Sequence, residues 1–318
     1  MLNVLLPVAL ILLLLVAAHC QDGTATEGPL RGKWVRMAEH TDFTPRDTAE
    51  DFVLDGKMWI SNAYHNGNVL VRDLWNSSDG MVWTKISDAT PYDGYSEMAV
   101  YKGKVWAVKG SVWNSPDGIN WTQVCEKTPF GVRGYGELVV FKDELWQLGS
   151  GADVWRTSDG MNWTCVTDNV PFEKRYATAV TVFKDKLWVM AGSVGRENNP
   201  PEKGYKTITT MNDVWCSADG VNWECVVEKA PWPTRMWSIS KVYDGYMWLI
   251  GGYRNAEAHN LGDVWYTADG KNWYELKSEP MWSPRHEATV YDFDGYLWVV
   301  AGNSWPLMND SWRLELER

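Results

Sequence analysis

Residues 235–273 read RMWSISKVYDGYMWLIGGYRNAEAHNLGDVWYTADGKNW, and Trp248, Trp265 and Trp273 within them mark one unit of a repeat. Trp248 sits in the apolar run YMWLIGG, Trp265 closes a D-x-W tripeptide, and Trp273 closes T-x-D-G-x-x-W. The same three marks recur along the chain. One column is Trp59, Trp106, Trp146, Trp188, Trp248 and Trp298; a second is Trp75, Trp113, Trp155, Trp215, Trp265 and Trp312. The third is Trp83, Trp121, Trp163, Trp223 and Trp273, with Trp34 as its sixth member, so 18 of the 22 tryptophans fall on the lattice. Units 38 to 60 residues long, each holding several short strands, are the mark of a β-propeller.

Each unit divides into four strands. Strand a follows a loop rich in Pro and Arg, and strand b is the Trp-bearing apolar run after a D-G, K-G or K-D turn. Strand c carries D-x-W, and strand d follows the S/T-x-D-G turn. Alternating apolar and polar residues between Gly-containing turns support short antiparallel strands. The last unit supplies DSWRLEL as strand c and then the chain ends; GKWVRM around Trp34 has the pattern of the missing strand d. The expectation is an all-β, single six-bladed propeller over residues 33–318, its ring closed by residues 33–37 against residues 310–316. Closure removes free strand edges, which otherwise invite aggregation.

Residues 4–18, VLLPVALILLLLVAA, form an apolar run shorter than the roughly 20 residues a membrane span needs. A cleaved signal peptide over residues 1–20 is expected, followed by a flexible segment over residues 21–32 and export without membrane attachment. The net charge of −11 lies wholly beyond residue 20. Such a surface repels phosphate backbones, which argues against nucleic acid as a partner. An oxidising compartment would favour a disulfide between Cys216 and Cys225, which flank one turn, with Cys125 and Cys165 as a second candidate pair. Four sequons, at Asn76, Asn120, Asn162 and Asn309, are glycosylation candidates. No CxxC pair or His/Cys cluster suggests a zinc site, and neither metal nor cofactor is expected.

The d-to-a and b-to-c connections emerge on one face of a propeller, the a-to-b and c-to-d turns on the other. The S/T-x-D-G turns are short and uniform. The first-face loops differ in length and composition, so function is sought there. Aligned on strand b, strand a opens with Arg46, Asp93, Arg133, Arg175, Arg235 and Arg285. A repeated Arg reads first as architecture, bonded to loop carbonyls or a carboxylate; as a ring of cations it could also hold an anionic group. Two positions on stand Thr48, Tyr95, Tyr135, Ala177, Trp237 and Glu287; four positions on stand Glu50, Glu97, Glu137, Ala179, Ile239 and Thr289. These columns are not uniform. The glutamates could pair with the arginines or face a ligand. Trp237 and Trp305 stand outside the lattice near His286 and Glu287. An aromatic ring beside Arg, Glu and His suits a sugar, one face stacking while the polar groups orient it.

The repeat resembles the kelch motif, on the evidence of strand b ending in Gly251-Gly252, Ala191-Gly192 and Ala301-Gly302 and of the spaced tryptophans of strands c and d. It departs in carrying Trp where kelch units commonly carry Tyr in strand b. The D-G turn is similar to a shortened sialidase Asp-box, a structural turn that implies no activity. Resemblance to the propeller of galactose oxidase implies copper chemistry, which in that family needs two His, two Tyr and a cross-linked Cys. Beyond residue 20 only His40, His65, His259 and His286 remain, and no Cys aligns with the first face. The iron motif of plant specifier proteins, E-x-x-x-D-x-x-x-H, is absent. Sialic acid mutarotases, also kelch propellers, need only an acid/base pair and an Arg.

Two functions remain open. The first is a binding module for a carbohydrate, glycoconjugate or extracellular protein, using Trp237, Trp305, Arg133, Arg235, Arg285, Tyr95, Tyr135 and Glu97. The second is a small-molecule enzyme using Glu287, His286 or Glu137 as acid or base.

Overall fold

The computed structural model describes residues 29–65, 69–195 and 208–317. The expected signal peptide and residues 21–28 lie outside them. The described chain is all-β, with six four-stranded antiparallel sheets. In blade 1 the strands run Glu50–Leu54, Lys57–His65, Val69–Ser77 and Thr84–Ser87. Blade 6 is built from Thr289–Phe293, Tyr296–Asn303 and Leu307–Leu316, with Gly32–Ala38 from the other end of the chain as its outer strand. There Trp34 pairs with Leu314 and Gly32 with Leu316, which closes the ring as expected.

Six apolar clusters hold the blades together, each built by two neighbours. Blades 5 and 6, for instance, share Trp248, Ile250, Val264, Val299, Trp312 and Leu314. A seventh cluster, of Ala177, Ile208, Met236 and Tyr253, lies on the first face.

The lattice tryptophans are large apolar bodies whose N–H groups all need acceptors, and the repeat supplies them. Every strand-b indole donates to the last carbonyl of its own strand a at 2.8–3.2 Å. Trp83, Trp121, Trp163, Trp223 and Trp273 donate to the Gly carbonyl of their own D-G turn. Trp34 has no such turn, and its buried N–H has no partner among the described residues. Within each turn the Asp carboxylate accepts from backbone N–H groups two and three residues on, as Asp219 does from Val221 and Asn222. The turn Gly of one blade lies against the strand-b Trp of the preceding blade: Gly80 on Trp298, Gly160 on Trp106, Gly270 on Trp188.

The cysteines correct one expectation. Cys216 pairs in register with Glu224 and Cys225 with Trp215. Successive rows of a sheet face opposite sides, so the two thiols point apart. All four, Cys125, Cys165, Cys216 and Cys225, are free. Two sequons also fall in places a glycan cannot occupy without unfolding. Asn76 is buried, and Asn309 is buried with its amide donating to the carbonyls of Thr41 and Phe43. Asn120 and Asn162 are exposed, but their amides complete the turns by donating to Asp117 and Asp159.

Candidate functional site

The Arg column is a clamp. Arg46, Arg133, Arg175, Arg235 and Arg285 each pair with the Asp of the D-x-W in the same blade: Asp73, Asp153, Asp213, Asp263 and Asp310. The same carboxylate accepts the strand-c indole N–H at 2.7–2.8 Å. Blade 2 lacks both partners: Asp93 replaces the Arg, and Ser111 replaces the Asp and takes the Trp113 N–H. Arg235 and Arg285 are 0% and 1% exposed. Their forks are filled by Asp263 and Asp310, which corrects the expectation that they contact a ligand. Arg133 alone keeps 16% of its side chain exposed, beside a hollow of about 610 Å³ that Tyr95, Lys109, Tyr135 and Tyr176 also line.

Past the Arg, the chain turns sharply into strand a. All six residues at that bend, Thr48, Tyr95, Tyr135, Ala177, Trp237 and Glu287, adopt φ between 50° and 65°. For residues with a Cβ this left-handed conformation is strained, and it persists only where the surroundings fix it. Backbone bonds from blade to blade do so: Ala177 N–H to Tyr135 O, Trp237 N–H to Ala177 O and Glu287 N–H to Trp237 O, at 3.0–3.2 Å. The six residues rim the mouth of the central channel.

Beneath the rim, a cavity of about 590 Å³ runs between the a strands, lined by Glu50, Asp51, Glu97, Glu137, Lys241 and Asp292 among others. The glutamates do not pair with the arginines. Glu50 accepts the Ser96 N–H and Glu97 the Gly136 N–H, each stitching its blade to the next. Burial raises the carboxyl pKa of Glu97 to about 7. For Glu137, burial and the charges of Glu97 and Asp51 raise it to about 8. A folded-state pKa above the ordinary 4.5 means that the folded protein holds the proton more tightly than the unfolded chain. That stability is fully present below about pH 4.5 and is lost as pH rises through 7 and 8. Between pH 5 and 9 the loss should be on the order of 5 kcal/mol, a fall of about ten degrees in Tm. Glu137→Gln, which cannot ionise, should flatten the slope; thermal melts of both proteins across that range check this. An unchanged slope in the variant would remove Glu137 as its source.

The rim breaks its symmetry between blades 5, 6 and 1. The Trp237 ring stacks on His286 with centroids 5.1 Å apart, Trp305 covers His286 at 4.9 Å, and Tyr253 contacts all three. His286 is 4% exposed and Trp305 60%. An antiparallel bridge from His286 to Asn303 anchors the imidazole, and one from Asp47 to Tyr64 anchors Asp47. Asn260 Nδ2 donates to the Asn303 carbonyl at 2.8 Å, which turns Asn260 Oδ1 toward His286 Nδ1 at 2.6 Å. The imidazole proton therefore sits on Nδ1, and Nε2 faces the Glu287 carboxylate 3.9 Å away. Burial lowers the His286 pKa to about 4, so the ring is neutral at physiological pH. Asn303 Nδ2 donates to Asp47 Oδ2 at 2.7 Å and Thr48 Oγ1 to Glu287 Oε2 at 2.8 Å. Burial pushes the Asp47 pKa up.

Trp237, Trp305, His286 and Glu287 thus meet as the sequence suggests. Tyr95, Tyr135, Glu97 and Arg133 lie over blades 2 and 3, joined to the first group where Tyr135 comes within 6.5 Å of Trp237. Glu137 is in the channel wall, away from His286 in the order of blades. Asp47, Tyr253, Asn260 and Asn303 are additions that the sequence columns did not single out. For Asp47 a signal exists. The position just after the Arg column reads Asp47, Gly94, Gly134, Tyr176, Met236 and His286, and its two acid–base residues fall in adjoining blades.

No protein-family model matches the chain, and no curated protein matches it. Among solved structures, that of YjhT is similar with a TM-score of 0.68, over 89% of this chain and 100% of that chain, at 10% identity. At that identity the likeness supports the propeller fold and carries no activity across.

Proposed function

We propose that this kelch-type propeller is an exported recognition module that binds a carbohydrate at the first-face mouth, between blades 5, 6 and 1. One observation carries the reading: an aromatic wall of Trp237, Tyr253 and Trp305 stands beside the polar groups Asp47, His286 and Glu287, at the place where the six-fold pattern breaks. Sugars present an apolar C–H face and a hydroxyl edge, and this wall offers a counterpart to each. Trp305 is the ring most open to solvent. Export rests on the apolar run at residues 4–18 and the absence of charge before residue 21; recovery of the protein from cells with residues 1–20 intact would overturn it.

A glycan array and a thermal-shift screen on the purified protein identify the ligand. Trp305→Ala should then leave Tm nearly unchanged, because surface truncations commonly shift stability by no more than about 0.5 kcal/mol. Affinity should fall by about tenfold or more, as for an aromatic anchor. If every ligand found binds Trp305→Ala and Trp237→Ala as tightly as the parent, the site is elsewhere.

A second reading, a sugar isomerase, draws on the neutral His286 with Nε2 directed at Glu287, an arrangement able to move a proton. Glu287→Gln separates the two. A binder loses affinity by degrees, whereas an enzyme keeps binding and loses turnover by orders of magnitude.

A further inference from the structure

We propose that Asp47, His286 and Glu287 bind a divalent transition-metal cation at the junction of blades 6 and 1. One donor atom from each residue lies within 4.8 Å of the other two. A metal holding nitrogen and oxygen ligands at about 2.0–2.2 Å in tetrahedral geometry sets them about 3.4 Å apart. The present 3.9 Å between His286 Nε2 and Glu287 Oε2 is within about half an ångström of that. The histidine gives the independent evidence. His286 is 4% exposed, its Nδ1 is committed to Asn260, and its Nε2, without a hydrogen-bond partner among the described residues, faces the Glu287 carboxylate with Asp47 in the same cluster. An acceptor facing a lone pair repels it unless a cation or a proton lies between them.

The surroundings match a metal centre. An imidazole ligand ordinarily has its other nitrogen fixed by an oxygen acceptor, and ligating carboxylates are hydrogen-bonded in turn. Here Asn260 fixes His286, Asn303 holds Asp47, and Thr48 holds Glu287. The first two bonds form one chain, since Asn260 itself is oriented by the Asn303 carbonyl. Among the described residues the side-chain donor that holds Asp47 is the neutral amide of Asn303, so no basic side chain compensates its charge. Arg46 and Arg285, next in sequence to Asp47 and His286, are filled by Asp73 and Asp310. One nitrogen and two oxygen donors favour zinc, manganese, iron or cobalt over magnesium or calcium. Three protein ligands leave a coordination position open toward the mouth, where hydroxyl oxygens of a bound sugar could reach the ion. This reverses the expectation of a metal-free protein; it uses the same mouth as the proposed sugar site but does not require that a sugar bind.

The test is titration of the full-length protein, stripped with a chelator, with Co²⁺ followed by visible absorption and with Zn²⁺ followed by calorimetry, no sugar present. One ion per chain is expected, with Mg²⁺ unable to compete. His286→Gln should weaken binding by about 100-fold or more, and Asn260→Ala, which only frees the ring to turn, by about tenfold. If His286→Gln does not fold, Asp47→Asn decides, since its amide keeps the shape of the carboxylate and removes the charge. No stoichiometric binding to the parent protein, or equal affinity in the folded variants, would overturn the proposal and leave a shared proton in the cluster. Sugar titration of the stripped protein is read separately, so loss of the metal site does not decide the carbohydrate reading.

Discussion

Asp310→Ala is expected to cost about 3–5 kcal/mol of stability, because it leaves the Arg285 guanidinium buried without its counter-charge. Arg285 is 1% exposed and Asp310 5%. Their two parallel bonds measure 2.6 and 3.0 Å, and Arg285 also donates to the Ala301 carbonyl at 2.8 Å. Asp310 further accepts the Trp312 N–H at 2.8 Å, so the substitution orphans an indole as well. The chain contains its own control. Blade 2 closes with neither Arg nor the matching Asp, and Ser111 serves the Trp113 indole at 3.1 Å. The pair Arg285→Met with Asp310→Ser should therefore cost less than Asp310→Ala alone, since no charge is stranded and the indole keeps an acceptor. Urea unfolding of the single and double variants measures both. A single-variant cost below 1 kcal/mol would show that the clamp is not structural.

Gly270→Ala should be nearly as damaging, by a different mechanism. A Cβ on Gly270 would lie 2.1 and 2.2 Å from ring carbons of Trp188 in the preceding blade. The indole cannot retreat, since it is buried in the cluster shared by blades 4 and 5 and its N–H is bonded to Phe183. Gly270 also has φ +78°, where an L-residue is strained. Gly245 separates the two effects: it has the same φ of +78° with no atom within 4 Å of its Cβ position. Gly245→Ala should cost about 1 kcal/mol, the backbone term alone. Gly270→Ala should cost about 3 kcal/mol or more, the difference being overpacking against Trp188. Thermal melts of the two variants compare them directly; equal losses would mean that the turn glycines do not latch neighbouring blades.

The blades were legible because the same local contacts recur in five or all six of them. A strand-b indole reaching its own strand a, a D-x-W carboxylate accepting from the Trp two residues on, and a D-G turn capping Trp all act within one unit, so they leave a periodic trace. Ring closure was legible for the complementary reason, a strand missing at one end and spare at the other. The Arg–Asp clamp was half legible. The Arg column was visible, but its partner lies 20 to 38 residues on, across a loop of variable length, and only the loss of both members in blade 2 ties them together in the sequence. The disulfide expectation failed on register. Cys216 and Cys225 are close in sequence, but a strand offset by one row turns their thiols to opposite faces.

Repetition alone determined the six-bladed ring, its closure and the face whose loops vary, because a unit that must bury the same tryptophans each time must repeat the residues that satisfy them. The site answers to no such rule. Asp47 and Asn303 are 256 residues apart and share a hydrogen bond only because the ring closes blade 6 onto blade 1. Whether His286 offers Nε2 to a carboxylate or hides it depends on the amide of Asn260, which in turn depends on the carbonyl of Asn303. Contacts of this kind are set by tertiary closure and by the orientation of single side chains, and neither has a period to read.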